Sequence, residues 1–180
     1  YLFDFDFVTS GGFVTDEGYD VAGGEPVIHA KMIALCEKRG DCEAILDTPY
    51  DFSADEVMTY SSKINTSYAA IYAPWCSSVS AATGRTVMMP PSYNFLQAIL
   101  YGMSKNAVEN QLWYVPAGVN RAAAPFIINP KYEIGSVILD KFQNNSDYRV
   151  NPIMRVRNYG YCIYGNSTCQ QSVSGASNSA

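Results

Sequence analysis

Charge is scarce in this chain of 180 residues: Asp, Glu, Lys and Arg together make up 16%, against roughly 25% in soluble domains. Basic residues are the scarcer sign, 12 against 17, which leaves a formal charge of −5 and a pI near 4.8. A nucleic-acid partner asks for a basic face, so that class is excluded. No apolar run reaches the ~18 residues a membrane-spanning helix needs, and no membrane partner is expected. The start, Tyr1-Leu2-Phe3-Asp4-Phe5-Asp6, has no basic segment followed by an apolar stretch, so it does not read as a signal peptide. It also lacks an initiator Met, and the chain is expected to be an internal fragment of a longer protein.

The motifs of common chemistries are missing too. Neither GxGxxG nor GxxxxGK followed by Ser or Thr occurs. Gly11-Gly12 after a strand and Gly23-Gly24 before a helix have the look of phosphate loops. Yet Asp16, Glu17, Asp20 and Glu25 crowd that stretch and would repel a phosphate, so a plain strand-to-helix loop is the better reading. Histidine occurs once, at His29, in the middle of a predicted helix. A triad or a zinc site needs further partners that the spacing does not supply, so His29 is expected to be packed or at the surface. The five cysteines, Cys36, Cys42, Cys76, Cys162 and Cys169, form no CxxC pair and are expected to be reduced thiols. Asp4 and Asp6 share one face of an edge-like strand; edge protection or a contact between subunits explains them better than a metal. No enzyme activity, metal or cofactor is expected.

What the chain has in quantity is tyrosine, 14 in all, with a normal apolar fraction of 48%. A surface low in charge and rich in tyrosine suits repeated burial against other proteins. The pattern along the chain gives a strand over 2–10 and a helix opened by Pro26. That helix carries Ile28, Met32 and Leu35 on one face and is closed by Lys38-Arg39-Gly40. A strand over 42–46 comes next, then a capping box at Ser53 and Glu56 that starts a helix to about Lys63. An apolar strand over 68–75 reads as covered on both faces. Strand, helix, strand, helix, strand at this spacing implies parallel strands joined by crossovers. A short strand over 86–89 leads to a helix capped by Ser92. Further on, a helix over 134–142 precedes two strands over 150–156 and 159–164. The fold class expected is therefore α/β, with α+β possible: a mixed, partly parallel sheet flanked by helices, in one compact domain over 1–169. Residues 170–180, nearly all Gln, Ser, Gly, Asn and Ala, are expected to fray.

Six short motifs, in order between residues 38 and 168, carry a resemblance. Lys38-Arg39-Gly40-Asp41-Cys42-Glu43-Ala44-Ile45-Leu46-Asp47-Thr48-Pro49 looks like an R-x-D-C-x-A-I-x-D-x-P strand entry. Tyr68-Ala69-Ala70-Ile71-Tyr72-Ala73-Pro74-Trp75 looks like YAAIYYPW. Met89-Pro90-Pro91-Ser92 matches VPPS, and Trp113-Tyr114-Val115-Pro116-Ala117-Gly118 is similar to W-x-APAG. Val150-Asn151-Pro152-Ile153 sits where IN-x-I would stand, and residues 159–168 resemble G-x-x-V-x-G-x-RT. In this order the set resembles the contractile tail-sheath family of myophages and related injection machines. Departures are Tyr93-Asn94-Phe95 and Lys105-Asn106, where the family has Gly and small residues, and the lack of a Gly before Pro152.

The resemblance implies a structural sheath subunit of a bacteriophage virion, made in the host cytoplasm and active through contacts with identical neighbours. Its implied partners are other sheath subunits in a six-fold helical array, the tail tube protein, and the baseplate and tail terminator. Terminal arms, which the resemblance puts outside this stretch, would link neighbours by strand addition, with 150–164 as the receiving strands. Without arms the isolated chain is expected to be a monomer. Candidate packing or inter-subunit residues are Trp75, Trp113, Pro116, Gly118, Tyr159, Tyr161 and Tyr164. The competing expectations are a nucleotide-binding α/β enzyme and a host-binding module of a virion.

Overall fold

Three parallel strands joined by two helices open the chain in the computed structural model, which describes residues 3–14, 27–80, 83–106 and 115–171. They run as β1 (Phe7–Thr9), α1 (Val27–Arg39), β2 (Glu43–Leu46), α2 (Ala54–Ser61) and β3 (Ala69–Ala73). Phe7 lies opposite Glu43 and Ala44 opposite Ala69, both pairs parallel. The crossover order read from the sequence is thus the one that forms. Helix α2 starts at the expected capping box: the Glu56 N–H donates to Ser53 Oγ at 3.4 Å, and the Ser53 N–H donates to Glu56 Oε2 at 2.7 Å. It ends at Ser61, short of Lys63.

After β3 come a cis Ala73–Pro74 peptide and Trp75, then β4 (Cys76–Val79) and β5 (Thr86–Met89). Helix α3 (Pro91–Asn106), β6 (Ile127–Pro130) and α4 (Ser136–Gln143) follow, and β7 (Asn151–Val156) with β8 (Gly160–Ile163) closes the fold as a hairpin. Strand β7 inserts parallel to β3, and the five-stranded sheet has the order β1-β2-β3-β7-β8. At the hairpin turn Asn158 takes a φ of 71°, a left-handed conformation that Asn tolerates better than most residues. A separate antiparallel sheet, β5-β4-β6, lies beside the first. The fold class is as expected: mixed α/β, with a partly parallel sheet between helices.

The position of β3 organises the core. All five of its residues are buried, and they alternate between two apolar clusters. Ala69, Ile71 and Ala73 meet Met32, Cys36, Val57, Tyr60 and Phe142 from α1, α2 and α4. Ala70 and Tyr72 meet Phe95 and Ala98 of α3. Period-two alternation gives a strand two faces, and here helices cover both. The Tyr72 ring stacks on Phe95 with centroids 4.2 Å apart, and Phe7 meets Phe95 edge-on at 5.6 Å.

Four local readings are corrected. The buried stripe of α1 is His29, Met32 and Cys36, while Ile28 and Leu35 stay 40% and 38% exposed. The helix is turned so that a neutral imidazole and a thiol, both able to sit in a core, face the sheet. Helix α3 begins at Pro91, whose fixed φ suits the first helical position; Ser92 lies inside the first turn and does not cap it. Strand β4 was not anticipated, because Ser77 and Ser78 break an apolar pattern. Ser77 Oγ donates to the Asn129 carbonyl at 3.0 Å and accepts the Asn129 N–H at 3.2 Å, beside the register shift that joins β4 to β6. Finally, the packed body continues through Gln171. Gln170 is buried, and Gln171 Nε2 donates to the carbonyls of Ser62 and Ile64, both at 2.9 Å. Of the stretch expected to fray, 172–180 lies outside the described residues.

Candidate functional site

His29 is fully buried, with Nδ1 2.5 Å from the Tyr60 hydroxyl and no partner for Nε2 among the described residues. Burial lowers its pKa to about 4, so the ring is neutral at ordinary pH. No group of three or more His, Cys, Asp or Glu side chains converges among the described residues. No disulfide joins the five cysteines, and all are buried; burial pushes Cys36 and Cys76 up to about 12 and Cys162 to about 11. Thiols held that far from ionisation are poor nucleophiles. The Gly11-Gly12 turn does not offer its amides to a ligand. The Gly12 N–H donates at 2.9 Å to Asp47 Oδ2, a buried carboxylate that also takes the Ser92 N–H and hydroxyl. Gly23-Gly24 lies outside the described residues.

The candidate contact residues fall in three places. Trp75 is half-buried near the start of β4, where its Nε1 donates to the Thr48 carbonyl at 2.8 Å and its ring meets Tyr50 edge-on at 5.6 Å. Gly12 passes so close that an added Cβ would sit 3.0 Å from the indole. Pro116 and Gly118 belong to a loop pinned to β8, with Gly118, at a φ of 86°, donating its N–H to the Ile163 carbonyl at 2.7 Å. Tyr159 is exposed at the hairpin turn, and Tyr161 is half-buried with its hydroxyl 3.2 Å from Glu133 Oε1. Burial and then the Glu133 charge raise the Tyr161 phenol above its ordinary pKa. Tyr164 is exposed beyond β8, near Gln143 of α4. Trp113 lies outside the described residues.

The strands proposed to receive a neighbour's arm, over 150–164, are not open. Strand β7 is interior to its sheet. The outer side of β8 is taken by the chain's own segment 118–124: the Ala124 N–H donates to the Tyr161 carbonyl at 2.8 Å, and the Ile163 N–H to the Ala122 carbonyl at 3.0 Å. An incoming strand would have to displace that segment. Among the described strands, the outer positions fall to β1 in the larger sheet and to β5 and β6 in the smaller.

Against the covered side of β8 lies a groove of about 560 Å³, bordered by Tyr101, Pro125, Ile127, Arg155, Tyr159 and Tyr161. A second hollow, of about 610 Å³, continues past Arg155 to Arg157, Asn158 and Glu133. Sequence reasoning placed Tyr159 and Tyr161 here but missed both arginines and Tyr101. The one available signal was the alternation Arg155, Arg157, Tyr159, Tyr161 across the turn. The motif residues near the groove mostly hold the fold. Asn151 donates from Nδ2 to the Ser167 carbonyl and accepts the Ser167 N–H, both at 2.8 Å, and Gly165 packs so close that a Cβ would meet Asn151 Oδ1 at 2.6 Å.

No protein-family model and no curated protein sequence matches the chain. Solved structures do. A chain of the sheath complex of an extracellular contractile injection system (PVC), in its contracted state, superposes with a TM-score of 0.64 at 17% identity. That match covers 96% of this chain and 42% of the other. A chain of the anti-feeding prophage (AFP) helical sheath in the contracted state gives a TM-score of 0.56 at 14% identity, over 82% of this chain and 36% of that one. A chain of the AFP baseplate structure gives 0.56 at 14% identity, over 81% and 34%. The chain thus spans well under half the length of the structures it matches, and what it shares with them is the fold.

Proposed function

We propose that this chain is the rigid body of a structural subunit of a contractile sheath, working by packing against copies of itself and without catalysis. The observation that carries the reading is the match to a contracted sheath complex over nearly the whole chain. The ordered motifs between residues 38 and 168 support it from the sequence side. A central strand buried on both faces, with helices on each side, suits a block that moves without deforming.

On this reading the subunits stack in six-fold rings around an inner tube and form a helical array through head-to-tail contacts that do not close on themselves. Contraction slides and rotates the blocks into an arrangement that buries more surface. The energy comes from the extended lattice, and no nucleotide is consumed. Further partners are the tube protein, the baseplate and the tail terminator, and the place of work is a phage tail or a related extracellular particle. Strand addition from neighbouring arms is directed to the outer sides of β1, β5 or β6. On its own, outside an assembly, the body described here is monomeric on this reading. Electron microscopy of the full-length product is the test: rings or tubes are expected, and dispersed single particles under all assembly conditions overturn the reading.

A further inference from the structure

We infer that the groove beside the β7–β8 hairpin is a docking surface for residues 3–6 of a second copy of this chain, with Arg155 and Arg157 receiving Asp4 and Asp6. The inference rests on the sheath-subunit reading and adds to it a specific contact between bodies, distinct from strand addition by arms.

Arg155 and Arg157 are exposed and two residues apart, and neither has a hydrogen-bond or ion-pair partner among the described residues. Other cations are engaged within the chain: Arg39 with Asp41, Lys141 with Asp55, Lys131 with the carbonyls of Tyr50 and Phe52, and Arg149 with the Gln143 carbonyl. Arg155 borders a groove walled by Tyr101, Tyr159 and Tyr161, and Arg157 lies in the adjoining hollow that shares Arg155 and Gly160 with it. Tyrosine and arginine around a recess are the composition of interface centres. The one carboxylate there, Glu133, accepts the Tyr161 hydroxyl.

The complementary feature is at the chain's other side. Asp4 and Asp6 are exposed, again two residues apart, and without side-chain partners among the described residues. Most other exposed acids are occupied, as Asp41 is by Arg39, Asp55 by Lys141, Glu56 by the Ser53 cap and Glu37 by Thr66. Beside Asp4 stands Phe3, at 77% the most exposed large apolar side chain described. An acid pair with an aromatic neighbour thus faces outward on one side, and a cationic pair beside an aromatic-walled groove on the other. Arginine and carboxylate pair through charge-assisted bonds, which a partly enclosed groove strengthens.

Position decides the geometry of the contact. Strands β1 and β8 are opposite edges of the five-stranded sheet, and β1, β2, β3 and β7 all run parallel. Residues 3–6 precede β1, at one end of one edge, while Arg155 and Arg157 lie at the opposite end of β7, the strand next to the far edge. A copy cannot fill its own groove, and two copies cannot exchange the contact across a two-fold axis without each reaching across the sheet. The contact therefore runs head to tail and propagates.

The test uses the full-length protein and reads the concentration at which rings or tubes form, by sedimentation and electron microscopy, at low and high salt. Arg155→Asp with Arg157→Asp raises that concentration about tenfold or more, and so does Asp4→Lys with Asp6→Lys. The four changes combined restore assembly, which a merely misfolded variant could not do. The penalty of either pair shrinks at high salt as the charges are screened. Reversed arginines that leave assembly unchanged, or a combined variant that stays impaired, overturn the docking contact while leaving the sheath reading in place. Wild-type protein that never assembles overturns both.

Discussion

Asp47 accepts two hydrogen bonds from Ser92, one from the backbone N–H at 2.8 Å and one from the hydroxyl at 2.6 Å, across 45 positions of sequence. The same carboxylate takes the Gly12 N–H. One buried side chain at the end of β2 therefore ties down both the turn after β1 and the first turn of α3, where the helix dipole favours a negative charge. Burial raises the Asp47 pKa, and the bonds from Ser92 and Gly12 pull against that rise.

Asp47→Ala removes all three bonds at once and strands the Gly12 and Ser92 donors, with an expected cost of about 2–4 kcal/mol. Ser92→Ala loses only the hydroxyl bond and costs about 1–2 kcal/mol. Urea unfolding of the unassembled subunit checks both, and equal effects from the two changes contradict the role given to the carboxylate.

Phe95 is the contact that joins α3 to the sheet, stacked on Tyr72 and edge-on to Phe7. Phe95→Ala is expected to destabilise the subunit by about 3–5 kcal/mol, as for buried aromatic residues elsewhere. The same measurement on Leu100→Ala, at an exposed site on the same helix, is expected to change stability by no more than about 0.5 kcal/mol.

Stability depends on pH through His29. Its folded pKa of about 4 lies below the ordinary 6.5, so the unfolded chain binds a proton that the folded chain refuses. Its contribution is complete above pH 6.5 and is lost as pH falls toward 4, a change of roughly 3 kcal/mol. Glu43 acts in the opposite sense. Burial raises it to about 7, so its contribution is full below its ordinary pKa of 4.5 and is lost as pH rises through 7. Unfolding curves of the wild type and His29→Gln, compared between pH 7 and 4, isolate the histidine: the variant is expected to lose less stability on acidification. Parallel curves contradict a buried neutral ring.

The parts of the fold legible in the sequence were those governed by local rules. The capping box at Ser53 and Glu56, the hairpin around Asn158 and the apolar run of β3 each need only neighbouring residues to be understood. What was hidden depends on residues far apart. The face α1 presents follows from Tyr60, which gives His29 a buried partner 31 positions away. Strand β4 depends on Asn129 meeting Ser77 across 52 positions. The filled edge of β8 depends on where the 118–124 segment returns. The arginines were overlooked because exposed Arg is ordinary on any surface, and only the fold brings Arg155 to a tyrosine-walled recess with Arg157 in the hollow beside it.

The burial of all five thiols has a practical consequence. With Cys36 and Cys76 held near 12 and none of the five exposed, maleimide dyes find no native target in the folded chain. A single cysteine introduced at Val137 or Leu100, both well exposed, becomes the one labelling handle, so distances between neighbouring copies can be followed by fluorescence without first stripping the chain of its own sulfur.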